Sequence, residues 1–135
     1  MDVHLNLPLQ QFRVFESHDL DEARDAVARV FCPHELNLLH PRSVLDARMH
    51  SVPLNRQVSL NYVQYGPGVQ IEPGYLTNFF LLQMPLRGSA LIRCGAQSME
   101  STAGMASLPS PTEPLSMRWG DDCPQLILRI DRAAL

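Results

Sequence analysis

Five histidines (His4, His18, His34, His40 and His50) and three cysteines (Cys32, Cys94 and Cys123) are the side chains best suited to grip a metal or act as nucleophiles. No histidine pair has H-x-H or H-E-x-x-H spacing, and no cysteine pair has C-x-x-C spacing. A barrel metalloenzyme needs two or three imidazoles and a carboxylate converging on one face. Here His34, His40 and His50 precede or fall within the first expected strand. The central hairpin, where such ligands would be placed, carries Phe80, Leu82, Met84, Ala90 and Ile92 instead. Nucleophilic catalysis has no better footing. G-x-S-x-G is absent, and Cys94 lies in an apolar alternation where a thiol serves as filler. Asp121-Asp122 reads as a solvated turn. Gly66-Pro67-Gly68 lacks the lysine and following helix of a phosphate-binding loop and also reads as a turn. The residues therefore predict no catalytic residue, no metal ligand and no cofactor.

What remains is concavity. Small antiparallel barrels either fill their interior or leave room for one small molecule. Strand parity sets Phe80, Leu82, Met84, Ala90, Ile92 and Cys94 on one face, with Val58, Leu60 and Tyr62 together on another strand and Trp119 closing the Leu115–Met117–Trp119 set. Two readings follow. In the first, all of these are plain core and the barrel is an oligomerisation module. In the second, Tyr62, Phe80, Met84 and Trp119 wall an effector pocket, and Arg48 or His50 supplies a polar or anionic-group contact. Arg48 and His50 share parity, so both can point inward. A buried Arg48 would want a carboxylate partner, and that arrangement favours an acidic organic effector. A cavity of roughly a few hundred Å³ distinguishes the second reading from the first.

The elements that must position these residues are mostly strands. Ala23, Val27, Val30 and Phe31 lie at i, i+4, i+7 and i+8, which predicts an amphipathic helix over residues 19–31. Asp19 and Glu22 have capping-box spacing at its start, and Pro33 ends it. Residues 36–42 read as a loop. Period-two patterns then predict strands at 44–52, 58–65, 69–72, 77–86, 89–94, 97–101, 105–108, 115–119 and 125–130, with Gly/Pro turns between them. The nearly continuous apolar run at 77–86 suits a strand covered on both faces. Asp131 reads as the N-cap of a helix that stops after one turn, which suggests that the chain is the first part of something longer.

Composition bounds the answer. A chain of 135 residues fits one domain, and 45% hydrophobic with 19% charged residues describes an ordinary globule. The formal charge is −3, and all 11 basic residues are arginine. That sign excludes a free-standing nucleic-acid binder. The N-terminus lacks the pattern of a signal peptide, and no apolar run is long enough to span a membrane. Reduced thiols and a cytoplasmic location are expected.

The run from Val58 to Val69, the run from Phe79 to Gly88, and the segment from Gly104 to Ile130 together resemble the N-terminal regulatory domain of AraC-type bacterial transcription regulators. Asp19-Leu20-Asp21-Glu22-Ala23 matches the opening helix of one subgroup. The resemblance spans roughly residues 12–135. It implies a mainly β, cupin-like double-stranded β-helix (a jelly-roll barrel) with an N-terminal α-helix and the start of a C-terminal helix, and residues 1–135 as a single ligand-binding and dimerisation domain. It further implies a small organic effector, a homodimer, and promoter DNA bound only by a helix-turn-helix domain that is absent from this sequence. A metal-dependent cupin enzyme, an isomerase or oxygenase, is the alternative.

Overall fold

A computed structural model describes residues 6–135; His4 lies outside them. Ten strands and one α-helix follow in chain order: β1 Arg13–Ser17, α1 Leu20–Val30, β2 Glu35–Leu38, β3 Ala47–Pro53, β4 Val58–Gln64, β5 Val69–Gly74, β6 Phe79–Pro85, β7 Ser89–Cys94, β8 Gln97–Thr102, β9 Leu115–Trp119 and β10 Gln125–Asp131. They form two antiparallel five-stranded sheets, ordered β1-β3-β4-β10-β6 and β2-β5-β9-β7-β8. Their apolar inner faces make one core: Met49, Val63, Leu81 and Ile127 from the first sheet meet Ile71, Ile92, Met117 and Trp119 from the second. The fold is mainly β and jelly-roll-like, as the resemblance implies.

Helix α1 begins where capping chemistry puts it. The Asp19 carboxylate accepts from the Asp21 and Glu22 N–H groups at 2.9 and 3.1 Å. The reciprocal arm of a capping box is supplied by Ser17, whose hydroxyl accepts the Asp19 N–H at 3.0 Å, and not by Glu22. Ala23, Ala26 and Val27 are buried, with Val30 and Phe31 packed half-buried against the core. The apolar face of α1 is thus spent inside the molecule.

Several expectations are corrected. The loop expected over 36–42 instead begins inside strand β2 (Glu35–Leu38), and Arg13–Ser17, for which no element was expected, is strand β1. They are short and lie at sheet edges, where a few residues give no readable period. The 105–108 segment makes only isolated bridges, Gln83 with Ser107 and Thr102 with Met105. Asp131 ends β10 and makes no side-chain cap; Arg132–Ala134 is a 3-10 turn. Asp121 and Asp122 are engaged, not merely solvated. Asp121 accepts the Gly68 N–H at 2.7 Å, and Asp122 pairs with Arg87 at 2.8 Å, which lowers the Asp122 pKa. All three cysteines are free thiols.

Candidate functional site: a small apolar cavity between the sheets

Strand parity decides which side chains face the space between the sheets, and on β6 it runs opposite to the expectation. Phe79, Leu81 and Gln83 are buried while Phe80, Leu82 and Met84 are half-buried. Phe80 and Met84 therefore lie on the outer face of the first sheet. Register carries the same result across the neighbouring strands. His50 is opposite Tyr62, Tyr62 opposite Leu126 and Leu126 opposite Met84, so the four form one outward row. Tyr62 and His50 are nonetheless only 1% exposed. They stack with ring centroids 5.2 Å apart, and His50 Nδ1–H donates to the Pro8 carbonyl at 2.8 Å, beneath the segment that precedes β1. The Tyr62 hydroxyl donates to Gln64 at 2.7 Å. Arg48 does find carboxylates, Glu16 at 3.6 Å and Asp46 at 3.5 Å, but on this outer side. Of the six residues expected to wall a pocket, Trp119 alone lines the space between the sheets; Arg48, His50, Tyr62, Phe80 and Met84 do not.

That space holds a cavity of about 40 Å³. It is far smaller than roughly a few hundred Å³, so by the volume criterion above the space between the sheets is closed core and not an open effector pocket; it takes about three water molecules at ~10–15 Å³ each. The first sheet contributes Val63, Leu81, Gln83 and Ile127, and the second contributes Ile71, Met117 and Trp119. Val27 and Phe31 of α1 close one side, together with Cys32 and His34 of the turn into β2. The lining residues Phe31, Cys32, His34 and Pro73 are half-buried, so this corner is where the cavity approaches solvent.

The lining has no Asp, Glu, Arg or Lys. Three of the residues around it each hold a buried polar atom without a hydrogen-bond partner: Gln83 Oε1, Trp119 Nε1 and His34 Nε2. Each has a defined role, because its neighbours fix it. Gln83 Nε2 donates to Ser107 Oγ and to Met117 Sδ, both at 3.2 Å, which leaves Oε1 as a free acceptor. The loop bearing Ser107 is itself clamped to β6 through paired backbone bonds with Gln83. His34 Nδ1–H donates to the Cys32 carbonyl at 2.9 Å, so in the neutral ring Nε2 carries the lone pair. Burial pushes the His34 pKa below the ordinary imidazole value, with Arg24 adding to the shift while the Cys32 carbonyl and Asp25 oppose it. Trp119, 3% exposed, packs edge-on against Tyr65 at 5.3 Å with its indole N–H unmatched. Burial raises the pKa of Tyr65 and of the Cys32 thiol, which keeps both neutral. Buried polar atoms are ordinarily paired, and an unpaired one costs about 1–3 kcal/mol.

Neither Gln83 nor His34 was expected here. The signal for Gln83 was available: it is the single amide in the apolar run Phe79–Leu86. His34 had none, since only the fold brings the α1–β2 turn over the lumen.

Two facing antiparallel sheets around a small internal cavity define a cupin-like barrel. Its structural neighbours include the cupin domain of Schizosaccharomyces pombe Cnp3, with a TM-score of 0.56 and 10% identity over 70% of this chain and 72% of that one. More specifically, the model of the AraC-binding-like domain matches residues 23–135, and the chain belongs to that family. It is 27% identical over 126 residues to a probable thc operon regulatory protein of Rhodococcus erythropolis, covering 91% of this chain and 38% of that protein. The crystal structure of the AraC-like transcriptional activator CuxR has a similar fold, with a TM-score of 0.71 and 14% identity, covering 91% of this chain and 48% of that one. The chain thus spans less than half the length of either regulator.

Proposed function

We propose that this chain is the effector-sensing domain of a transcription regulator, and that a small organic molecule held between its sheets controls promoter binding by a downstream helix-turn-helix domain. The observation that carries the reading is the match of residues 23–135 to the AraC-binding-like family, in a fold that keeps a small apolar cavity between its sheets. The site is partly closed, so a guest larger than a few atoms must displace the α1 end that covers it. A ligand that binds the opened form better shifts the population by its differential affinity, and α1 becomes the element that registers occupancy. Such a domain works where promoter DNA is, in the cytoplasm, and no described helix is long and apolar enough to cross a membrane.

A homodimer belongs to the same reading. The face available to it is not α1, whose apolar stripe is used internally, but the outer side of the first sheet. There Leu60, Leu128 and Leu82 form one half-buried row and Val58, Ile130 and Phe80 another. Contiguous apolar surface of this kind favours association.

The alternative of a metal-dependent cupin enzyme requires three or more donors around one point. Among the described residues no group of three His, Cys, Asp or Glu side chains is placed to hold an ion. The inward positions of β6 and β7 are Phe79, Leu81, Gln83, Ala90 and Ile92. The reading is tested by fluorescence anisotropy with duplex promoter DNA at physiological salt. This chain alone should leave the DNA free, while the regulator that contains it binds in an effector-dependent way. Tight DNA binding by the isolated chain would sink the division of labour.

A further inference from the structure

We infer that a small carboxylate monoanion binds away from the lumen, in an open groove of about 230 Å³ beside the β3–β4 turn, held by Arg56 and Arg129. The binding site stands on its own observations; only its consequence for α1 rests on the sensing reading. Register places the groove. Ser59 lies opposite Pro53 on β3 and opposite Arg129 on β10, and Arg129 is two residues from the buried Ile127. Ser59 and Arg129 therefore belong to the inward row of the first sheet, and Ser51 and Asn61 face each other one row further along. Polar side chains thus replace the apolar core at this end of the sheet. The Arg129 side chain is only 25% exposed, and its guanidinium sits 4.4 Å from the Phe79 ring centroid.

The lining decides the charge of the guest. It contains two arginines and no Asp or Glu. Arg129 Nη1 pairs with Asp131, which lies outside the lining, while the buried Nε–H has no partner. Arg56 is exposed, and no ion pair among the described residues includes it. One arginine neutralised and one free leave a single positive charge, which suits a monoanion. The acid expected at Arg48 has no such vacancy, because Arg48 already meets both Glu16 and Asp46. The neutral groups carry the same polarity. Ser59 Oγ accepts from Asn61 Nδ2 at 3.1 Å, which leaves its O–H to donate. Asn55 Oδ1 is occupied by the Gln57 and Val58 N–H groups at 2.8 and 2.9 Å, so its free end is the amino group. Such a set of donors complements a carboxylate, which only accepts. The volume equals about seven waters at ~30 Å³ each, enough for an acid with a short body, and Val30, Pro53 and Val58 give that body apolar surface. Val30 is the last residue of α1, so a bound acid touches the element that registers occupancy.

The test titrates propionate, lactate and benzoate into the chain, with propionamide, lactamide and benzamide as neutral counterparts and inorganic phosphate as a second anion. The 15N resonances of the Arg129 Nε–H and of the Gln57 and Val58 amides are followed. At least one carboxylate should move all three and bind about tenfold or more tightly than its amide or phosphate, the more weakly as salt is raised. Arg56→Gln changes an exposed turn residue and should weaken that carboxylate about tenfold or more; Ser59→Ala should weaken it by a smaller factor. An amide that equals its carboxylate, a carboxylate indifferent to Arg56→Gln, or phosphate that outbinds every carboxylate overturns the inference. So does a titration in which no probe moves the Arg129 resonance. None of these results touches the sensing reading, which stands or falls on effector-dependent DNA binding by the full regulator.

Discussion

Gln83 places an amide among the apolar side chains around the cavity. It is fully buried and half satisfied: its amino group has two partners and its carbonyl has none. Replacing it by methionine removes an unmatched acceptor and keeps the volume. The unliganded chain should therefore unfold at the same or a slightly higher denaturant midpoint, within about 1 kcal/mol, despite losing a buried hydrogen bond. His34 makes a separate prediction. Its pKa is depressed in the folded chain, so the unfolded chain binds the proton more readily. Stability from this group is complete above the ordinary value near 6.5 and is lost as pH falls below it. His34→Asn can keep the bond to the Cys32 carbonyl but does not titrate. Its melting temperature should lose less than that of the parent chain between about pH 7 and pH 5, measured by calorimetry; parallel slopes would remove His34 as the cause. At this scale the sequence was least legible. Phe80 and Met84 look as lumenal as Phe79 and Leu81 because the outer face of the first sheet is also apolar, so hydropathy cannot choose between the two parities of β6. The choice is made by pairing with β10, whose Ile127 faces in and Leu126 out.

At the scale of elements, α1 is both a wall of the cavity and the structure with the clearest signal in the chain. Its cap and its 3.6-residue stripe were readable because both are local. Asp19→Ala should cost about 1 kcal/mol, with Asp19→Ser recovering most of it. Since Val27 and Phe31 close the site, the alanine variant should also widen it, seen as faster hydrogen exchange along α1 than in β4 or β10. The β6–β7 turn is the second sensitive element. Gly88 has φ +70°, and a Cβ there would sit 2.7 Å from the Asp122 carbonyl oxygen, which is backbone and cannot swing away. Gly88→Ala is expected to destabilise by about 2 kcal/mol or more in chemical denaturation. The turn was legible as Arg87-Gly88. The clash was not, because Asp122 arrives from 34 residues further on. β1 and β2 were missed for the reason that makes them useful: edge strands of four or five residues are defined by the neighbour they pair with, β3 and β5, more than by their own pattern.

For the whole molecule, the two sheets divide the work. Their inner faces hold the core and cavity, while the outer side of the first sheet carries a broad apolar surface of Phe80, Leu82, Leu128 and their neighbours. Leu82→Glu places a charge at the centre of that surface without touching the lumen. If the proposed homodimer forms through this face, sedimentation velocity should show its self-association weakened at least tenfold while the melting temperature of the monomer changes by only a few degrees. Unchanged sedimentation would detach the proposed homodimer from this face. An antiparallel sandwich or barrel was readable from the many short alternating segments and their Gly/Pro punctuation, and the jelly roll from the family resemblance. The layout of sheets was not, since it depends on non-local pairings such as β10 with β4 and β6.

The chain contains a single tryptophan, and it is the one at the edge of the cavity. The protein therefore carries its own optical probe: excitation at the indole band reports from the lumen and nowhere else, without a label. An indole buried in an apolar setting emits towards the blue. A guest that alters its surroundings should move the emission in step with occupancy, so an unknown guest can be sought in crude mixtures by the colour of its host.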